Sequence, residues 1–255
     1  MRLRPLAPIR TPSSEALDGL EVRRRGGQIV RIPPVTPWPD IYRLLEARWQ
    51  IGQHMALFAR TRSGKTTAAR AMLDIRDWVV VFGTKPRDKE LYDGFERKGY
   101  VIKDRWDPED LTDNRVIFRP GGDLLDVEFQ RKAFTQALNR IYTVGGWTVY
   151  IDEMLVLSQD LGMERVVNRM YTQAASNDVT MVAASQRPLG VPRNMIAQSE
   201  WFGLWNVADE DDRDRAAEIL GNLRPMAIEA MKILPRYEFL LANPIEDQAW
   251  RTKIT

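Results

Sequence analysis

Between residues 54 and 184 the apolar positions fall into short runs: 55–59, 78–82, 116–118, 148–151 and 179–184. Runs this short, apolar at every position but Thr148 and Thr180 instead of at every second one, predict strands buried on both faces, as in a parallel sheet. The segments between them change period. Residues 124–142 set Val127, Phe134, Ala137, Leu138 and Ile141 on one side at helical spacing, and 163–174 does the same with Val166, Val167, Met170 and Tyr171. Strands alternating with helices predict an α/β fold with a central, mostly parallel sheet flanked by helices. Downstream, 201–207 reads as a further strand, 209–220 as a charged helix and 237–253 as a C-terminal β-hairpin with Asn243-Pro244 at its turn.

The first 45 residues break this pattern. Pro5, Pro8, Pro12, Pro33, Pro34, Pro37 and Pro39 exclude long helices and central strands, so 1–45 reads as a proline-rich arm and 46–255 as one domain. Arg23-Arg24-Arg25-Gly26-Gly27 reads as a basic, flexible turn. The arm is either a solvated linker or a contact for a neighbouring subunit, a shell or DNA. At its end Ile41, Leu44, Leu45 and Trp49 share one face and predict a short amphipathic helix.

Composition narrows the class. A 255-residue chain, 44% apolar and 28% charged, holds a full α/β domain with extensions. No run of 18 apolar residues predicts a membrane span, and prolines and arginines interrupt any signal-peptide core. With no cysteine there is no disulfide and no thiolate metal site. A net charge of +2 is less basic than a nucleic-acid coat, though it suits a protein gripping DNA through a few loops.

The candidate chemistry starts after the first strand, at Ala59-Arg60-Thr61-Arg62-Ser63-Gly64-Lys65-Thr66-Thr67. A strand, a loop and Gly-Lys-Thr opening a helix form a phosphate-binding (Walker A) loop: successive N–H groups cradle phosphate oxygens, Lys65 faces the β- and γ-phosphates of ATP, and Thr66 takes Mg²⁺. Ala59 stands where the pattern has glycine, which is tolerable if that position has a negative φ. The fourth strand ends in Asp152-Glu153. Buried strands rarely end in two acids without a reason. Asp152 is placed to support the Mg²⁺ shell and Glu153 to act as general base on the attacking water. A second acid favours transfer to water, so a small-molecule kinase fits poorly. The fifth strand ends in Ser185-Gln186-Arg187-Pro188. If it neighbours the Asp152 strand, the Gln186 amide can touch both the γ-phosphate and the lytic water. The alternative is a plain strand-ending turn.

The order P-loop, apolar run–Asp-Glu, then Ala-Ser-Gln-Arg-Pro resembles the FtsK/HerA superfamily of DNA-translocating ATPases over residues 54–210. Similar pieces are Gly83-Thr84-Lys85, Phe118-Arg119-Pro120-Gly121-Gly122 and Val191-Pro192-Arg193-Asn194. The compact form looks most like the genome-packaging ATPases of tailless viruses. The resemblance implies a RecA-like core, a ring that is usually a hexamer, double-stranded DNA as partner, a capsid or portal component nearby, and a place in the host cytoplasm or the virion. It also implies an arginine reaching the site from the next subunit. Many relatives carry Gly-Arg shortly before the glutamine, where this chain has Ala174-Ala175; Arg169 is the first candidate, with Arg165, Arg187 and Arg193 as substitutes. The basic residues Lys85, Arg87, Lys89, Arg97 and Lys98 in 84–113 are either pore contacts or part of a solvated insertion. His54, just ahead of the first strand, is assigned no chemistry. A conjugation motor and an ATP-binding assembly module with little turnover are the rival readings.

Overall fold

The computed structural model describes residues 19–23, 27, 29–85, 88–121 and 126–254. Pro5, Pro8, Pro12, most of the basic turn, Arg87, Gly122 and the first two positions of the 124–142 segment lie outside them. The elements in order are β1 (Glu21–Arg23), β2 (Ile29–Arg31), α1 (Trp38–Arg48), β3 (His54–Phe58), α2 (Lys65–Leu73), β4 (Val79–Phe82), α3 (Lys89–Glu96), β5 (Val101–Lys103), β6 (Arg115–Phe118), α4 (Val127–Val144) and β7 (Thr148–Ile151). A π-helical turn at Val156–Asp160 leads to α5 (Glu164–Gln173), β8 (Thr180–Ser185), α6 (Arg193–Ala197), β9 (Ser199–Leu204), α7 (Glu210–Ala216), α8 (Arg224–Ile233), β10 (Glu238–Asn243) and β11 (Gln248–Lys253).

Among the described residues the main sheet has nine strands in the order β11-β10-β9-β3-β8-β7-β4-β6-β5. The seven from β9 to β5 are parallel, and β10 and β11 close one edge antiparallel. The expected α/β architecture is therefore the observed one. Alternate residues of each strand feed two cores. Ala56, Phe58, Val80, Phe82, Val149, Ile151, Met181 and Ala183 face α4, α5, α6 and α8, while Met55, Leu57, Val79, Val81, Tyr150 and Val182 face α1, α2 and α3. Phe134 of α4 stacks on Phe82 at 4.8 Å and meets Phe118 edge-on at 5.6 Å. Helix starts follow local chemistry: Asp88, Asp126 and Asp209 accept the N–H of Leu91, Phe129 and Asp212 and so cap α3, α4 and α7.

Three segments depart from expectation. The charged stretch 84–113 contains α3, which buries Leu91, Tyr92 and Phe95, and the edge strand β5, so it is largely part of the fold. His54 lies within β3, not ahead of it, and is buried. The arm region holds a β1–β2 hairpin, and its last part is strapped to the end of the chain. Val35 bridges to Arg251, Thr36 N donates to Arg251 O at 2.7 Å, and Thr252 Oγ1 donates to Thr36 O at 2.9 Å. Arg251 is itself wholly buried, its Nε donating to Glu238 Oε2 at 2.8 Å.

Candidate active site

In open parallel sheets ligands gather beyond the carboxyl ends of the strands. Here β3, β8 and β7 are adjacent, and their carboxyl ends carry the phosphate loop, the Gln186 loop and the acid pair. From β3 the chain passes Ala59, whose N–H donates to Ser185 O at 3.2 Å, and turns through Arg62 at φ 59° into Gly64 at φ 91°. Ala59 itself is not at positive φ, so this position makes no conformational demand for glycine. Gly64 does: its backbone is left-handed, and an added Cβ would sit 3.2 Å from the Tyr237 ring. Lys65 then opens α2.

The Lys65 ammonium, 8% exposed, donates to Asp152 O at 2.6 Å and lies 3.9 Å from Asp152 Oδ1. Thr66 Oγ1 donates to the same Oδ1 at 2.9 Å, and the Tyr150 hydroxyl does so at 2.5 Å. Burial first, and then the Asp152 carboxylate, push the Tyr150 phenol far above its usual range, so it stays protonated and donates. Glu153 is 6% exposed and accepts from Ser185 Oγ at 3.3 Å. That hydroxyl also lies 3.2 Å from Arg187 O. Having one proton, Ser185 donates to Glu153 or to the Arg187 carbonyl, not to both at once. Gln186 Oε1 accepts from Thr61 Oγ1 at 2.6 Å across the loop mouth.

A cavity of about 150 Å³ opens between these groups, lined by the loop residues, Lys65, Thr66, Asp152 and Gln186. Glu153, which follows Asp152 in the chain, is not among the lining residues. A hydroxyl and a carboxylate on one side of a phosphate cradle are the hard oxygen donors that Mg²⁺ takes alongside substrate phosphates and water. The chain therefore brings together Ala59 to Thr67, Asp152, Glu153 and Gln186. Arg169 is not among them; it stands exposed on α5, outside the cavity lining. A larger cavity of about 760 Å³ lies elsewhere, between α4 and residues 104–107, and holds none of these groups.

No model of a protein family matches the chain. Over 166 residues, 63% of this chain and 67% of the relative, it is 28% identical to the DNA packaging ATPase P9 of Enterobacteria phage PRD1. That likeness is to a DNA packaging ATPase, the class that the order of the motifs resembles. Among solved structures, the genome packaging NTPase B204 of Sulfolobus turreted icosahedral virus 2 with ATP-gammaS superposes with a TM-score of 0.58 at 14% identity, covering 80% of this chain and 98% of that one. VirB4 of Thermoanaerobacter pseudethanolicus gives a TM-score of 0.59 at 10% identity, covering 91% and 95%. These two likenesses are of fold.

Two site residues escaped the sequence reading. Tyr150 stands two positions before Asp152, and in a strand that spacing puts both side chains on one face. Ser185 stands next to Gln186 and reads as the last strand residue. Its tie to Glu153 depends on β7 and β8 being neighbours.

Proposed function

We propose that the chain hydrolyses MgATP and uses the cycle to move double-stranded DNA into a viral shell, acting as a ring. The observation that carries this reading is the convergence of Lys65, Thr66 and Asp152 at the mouth of a phosphate loop. Lys65 holds the β- and γ-phosphates, while Thr66 and Asp152 hold Mg²⁺, which neutralises phosphate charge when bound. Glu153 leaves Ser185 to take a proton from the attacking water. Gln186, tied to Thr61, lies where an amide can feel the γ-phosphate. A neighbouring subunit supplies the remaining positive charge, and Arg169 is our candidate because it is exposed on the helix that leads into β8.

The relatives support the DNA-packaging part: P9 is a DNA packaging ATPase and B204 a genome packaging NTPase. A hexamer, and contact with a capsid or portal component, belong to the same proposal. In the charged stretch 84–113 two lysines already have acidic partners, Lys98 with Asp74 at 2.7 Å and Lys103 with Asp113 at 2.7 Å, which counts against DNA contact through them.

The test is ATP turnover of the intact protein and of Lys65→Ala and Glu153→Gln, with and without double-stranded DNA. Both variants should lose turnover, and DNA should stimulate the unaltered protein. Undiminished turnover in both variants removes the catalytic assignment.

A further inference from the structure

The phosphate cavity has no aromatic lining residue. A nucleotide held there by its phosphates must still place its base and ribose. Next to it lies a second cavity of about 390 Å³, between α2 and the start of β10, which shares Arg62, Gly64, Thr67 and Glu90 with the first. Its size is that of an ordinary small-molecule site, roughly 300–1,000 Å³. Its far wall is Arg236 and Tyr237.

Tyr237 is unusual in two respects. It is a bulky residue at φ 73°, and it is 49% exposed although its ring lies against Gly64 of the phosphate loop. Such a backbone is costly for a large side chain and persists only when its surroundings enforce it, often at a ligand clamp. Its surroundings supply that constraint: Arg236 Nε donates to Arg62 O at 3.0 Å, and the guanidinium sits over the Tyr237 ring, 4.7 Å from its centroid. The loop thus fixes the arginine, the arginine fixes the ring, and the ring is left half open beside the phosphate cradle. An aromatic plane backed by a guanidinium is a stacking platform for a nucleobase. Glu90, an acceptor at the cavity edge, matches the hydroxyl or amino donors of a nucleoside.

We infer that this second cavity is the nucleoside subsite, with Tyr237 as the platform for the base of the nucleotide whose phosphates lie on Gly64 to Thr67. The inference rests on the nucleotide-binding reading above and adds where the base goes. It also makes the entry to the β10–β11 hairpin part of the nucleotide site.

Calorimetry with two probes, MgATP and magnesium tripolyphosphate, separates the two claims. Tripolyphosphate has the anionic chain but no base. Tyr237→Ala should weaken MgATP by about 5- to 150-fold, the range for removing one aromatic platform under a base, and leave tripolyphosphate unchanged. Tyr237→Phe, which keeps the ring, should bind MgATP like the unaltered protein. Lys65→Ala should lose both probes. Unchanged MgATP affinity in Tyr237→Ala, or equal weakening of both probes, overturns the subsite while leaving the phosphate site standing. If the unaltered protein binds neither probe, the nucleotide reading fails and the subsite fails with it.

Discussion

Thr66 and Tyr150 meet on one atom: both hydroxyls donate to Asp152 Oδ1, at 2.9 and 2.5 Å. One comes from the phosphate loop helix and the other from the Asp152 strand, so the carboxylate is aimed from two sides. In the proposed role of Asp152 as a holder of Mg²⁺, partners of this kind are worth about 10- to 100-fold in metal affinity or activity. Tyr150→Phe should therefore raise the Mg²⁺ concentration needed for half-maximal turnover by about 10-fold or more. A Mg²⁺ titration of ATP turnover that superposes on that of the unaltered protein would show that the phenol orients nothing.

Gln186 accepts from Thr61 at 2.6 Å and so bridges the loop over β8 and the phosphate loop. A group that touches the reacting centre only as charge develops affects turnover more than binding. Gln186→Ala should lower kcat on the order of 10²-fold, the usual cost of removing one such polar contact. Nucleotide Kd should change little. Single-turnover rates combined with equilibrium binding check this, and a loss confined to affinity would contradict the assignment.

Glu238 and Arg251 form a buried ion pair at 2.8 Å, with side chains 3% and 0% exposed. Removing Glu238 takes a carboxylate from a guanidinium that is wholly buried, leaving it to its other contacts, Pro33 O among them. Glu238→Ala should cost about 3–5 kcal/mol, whereas replacing both residues by apolar ones of similar volume should be close to neutral. Urea unfolding of the single and double variants measures both. A single variant as stable as the parent would mean that the other contacts of Arg251 are enough to hold its charge.

His54 is held neutral inside β3. Its Nδ1 lies 3.1 Å from Met181 N and accepts from it, Nε2 lies 3.2 Å from Tyr171 O, and burial lowers the imidazole pKa to about 4. The unfolded chain binds this proton near 6.5. Below that value the unfolded state therefore carries more protons than the folded one, and stability falls as pH drops. The contribution is complete above about pH 6.5 and is lost progressively down to about pH 4, an effect of about 3 kcal/mol from the size of the shift. Denaturant midpoints measured across that window should show the slope. His54→Gln, though less stable throughout, should lack that component of it.

Much of the fold was legible because the central strands are buried on both faces, which leaves a continuous apolar signature. Strands β7 and β8 stand within one residue of expectation. Helix α8 was missed: Pro225 sits in its first turn and its apolar face has no clear period edge. In α3 the reading was misled by charge, since the helix shows acids and lysine to solvent and hides Leu91, Tyr92 and Phe95. The phosphate loop was legible from local spacing. Tyr237 was not, because nothing in its neighbourhood says that the chain returns to Gly64 after more than 170 positions, the separation spanned by the Arg236–Arg62 bond. Arg169 remains outside the cluster because a single chain does not hold the surface it is proposed to meet.

The strap between Thr36 and Thr252 joins positions 216 apart. During synthesis, residues 33–36 leave the ribosome long before their docking strand β11 has been made. Until then Val35 and Thr36 lack the backbone partner that Arg251 gives them. Deleting β11 should thus also free residues 33–36, more than 200 positions away in the sequence.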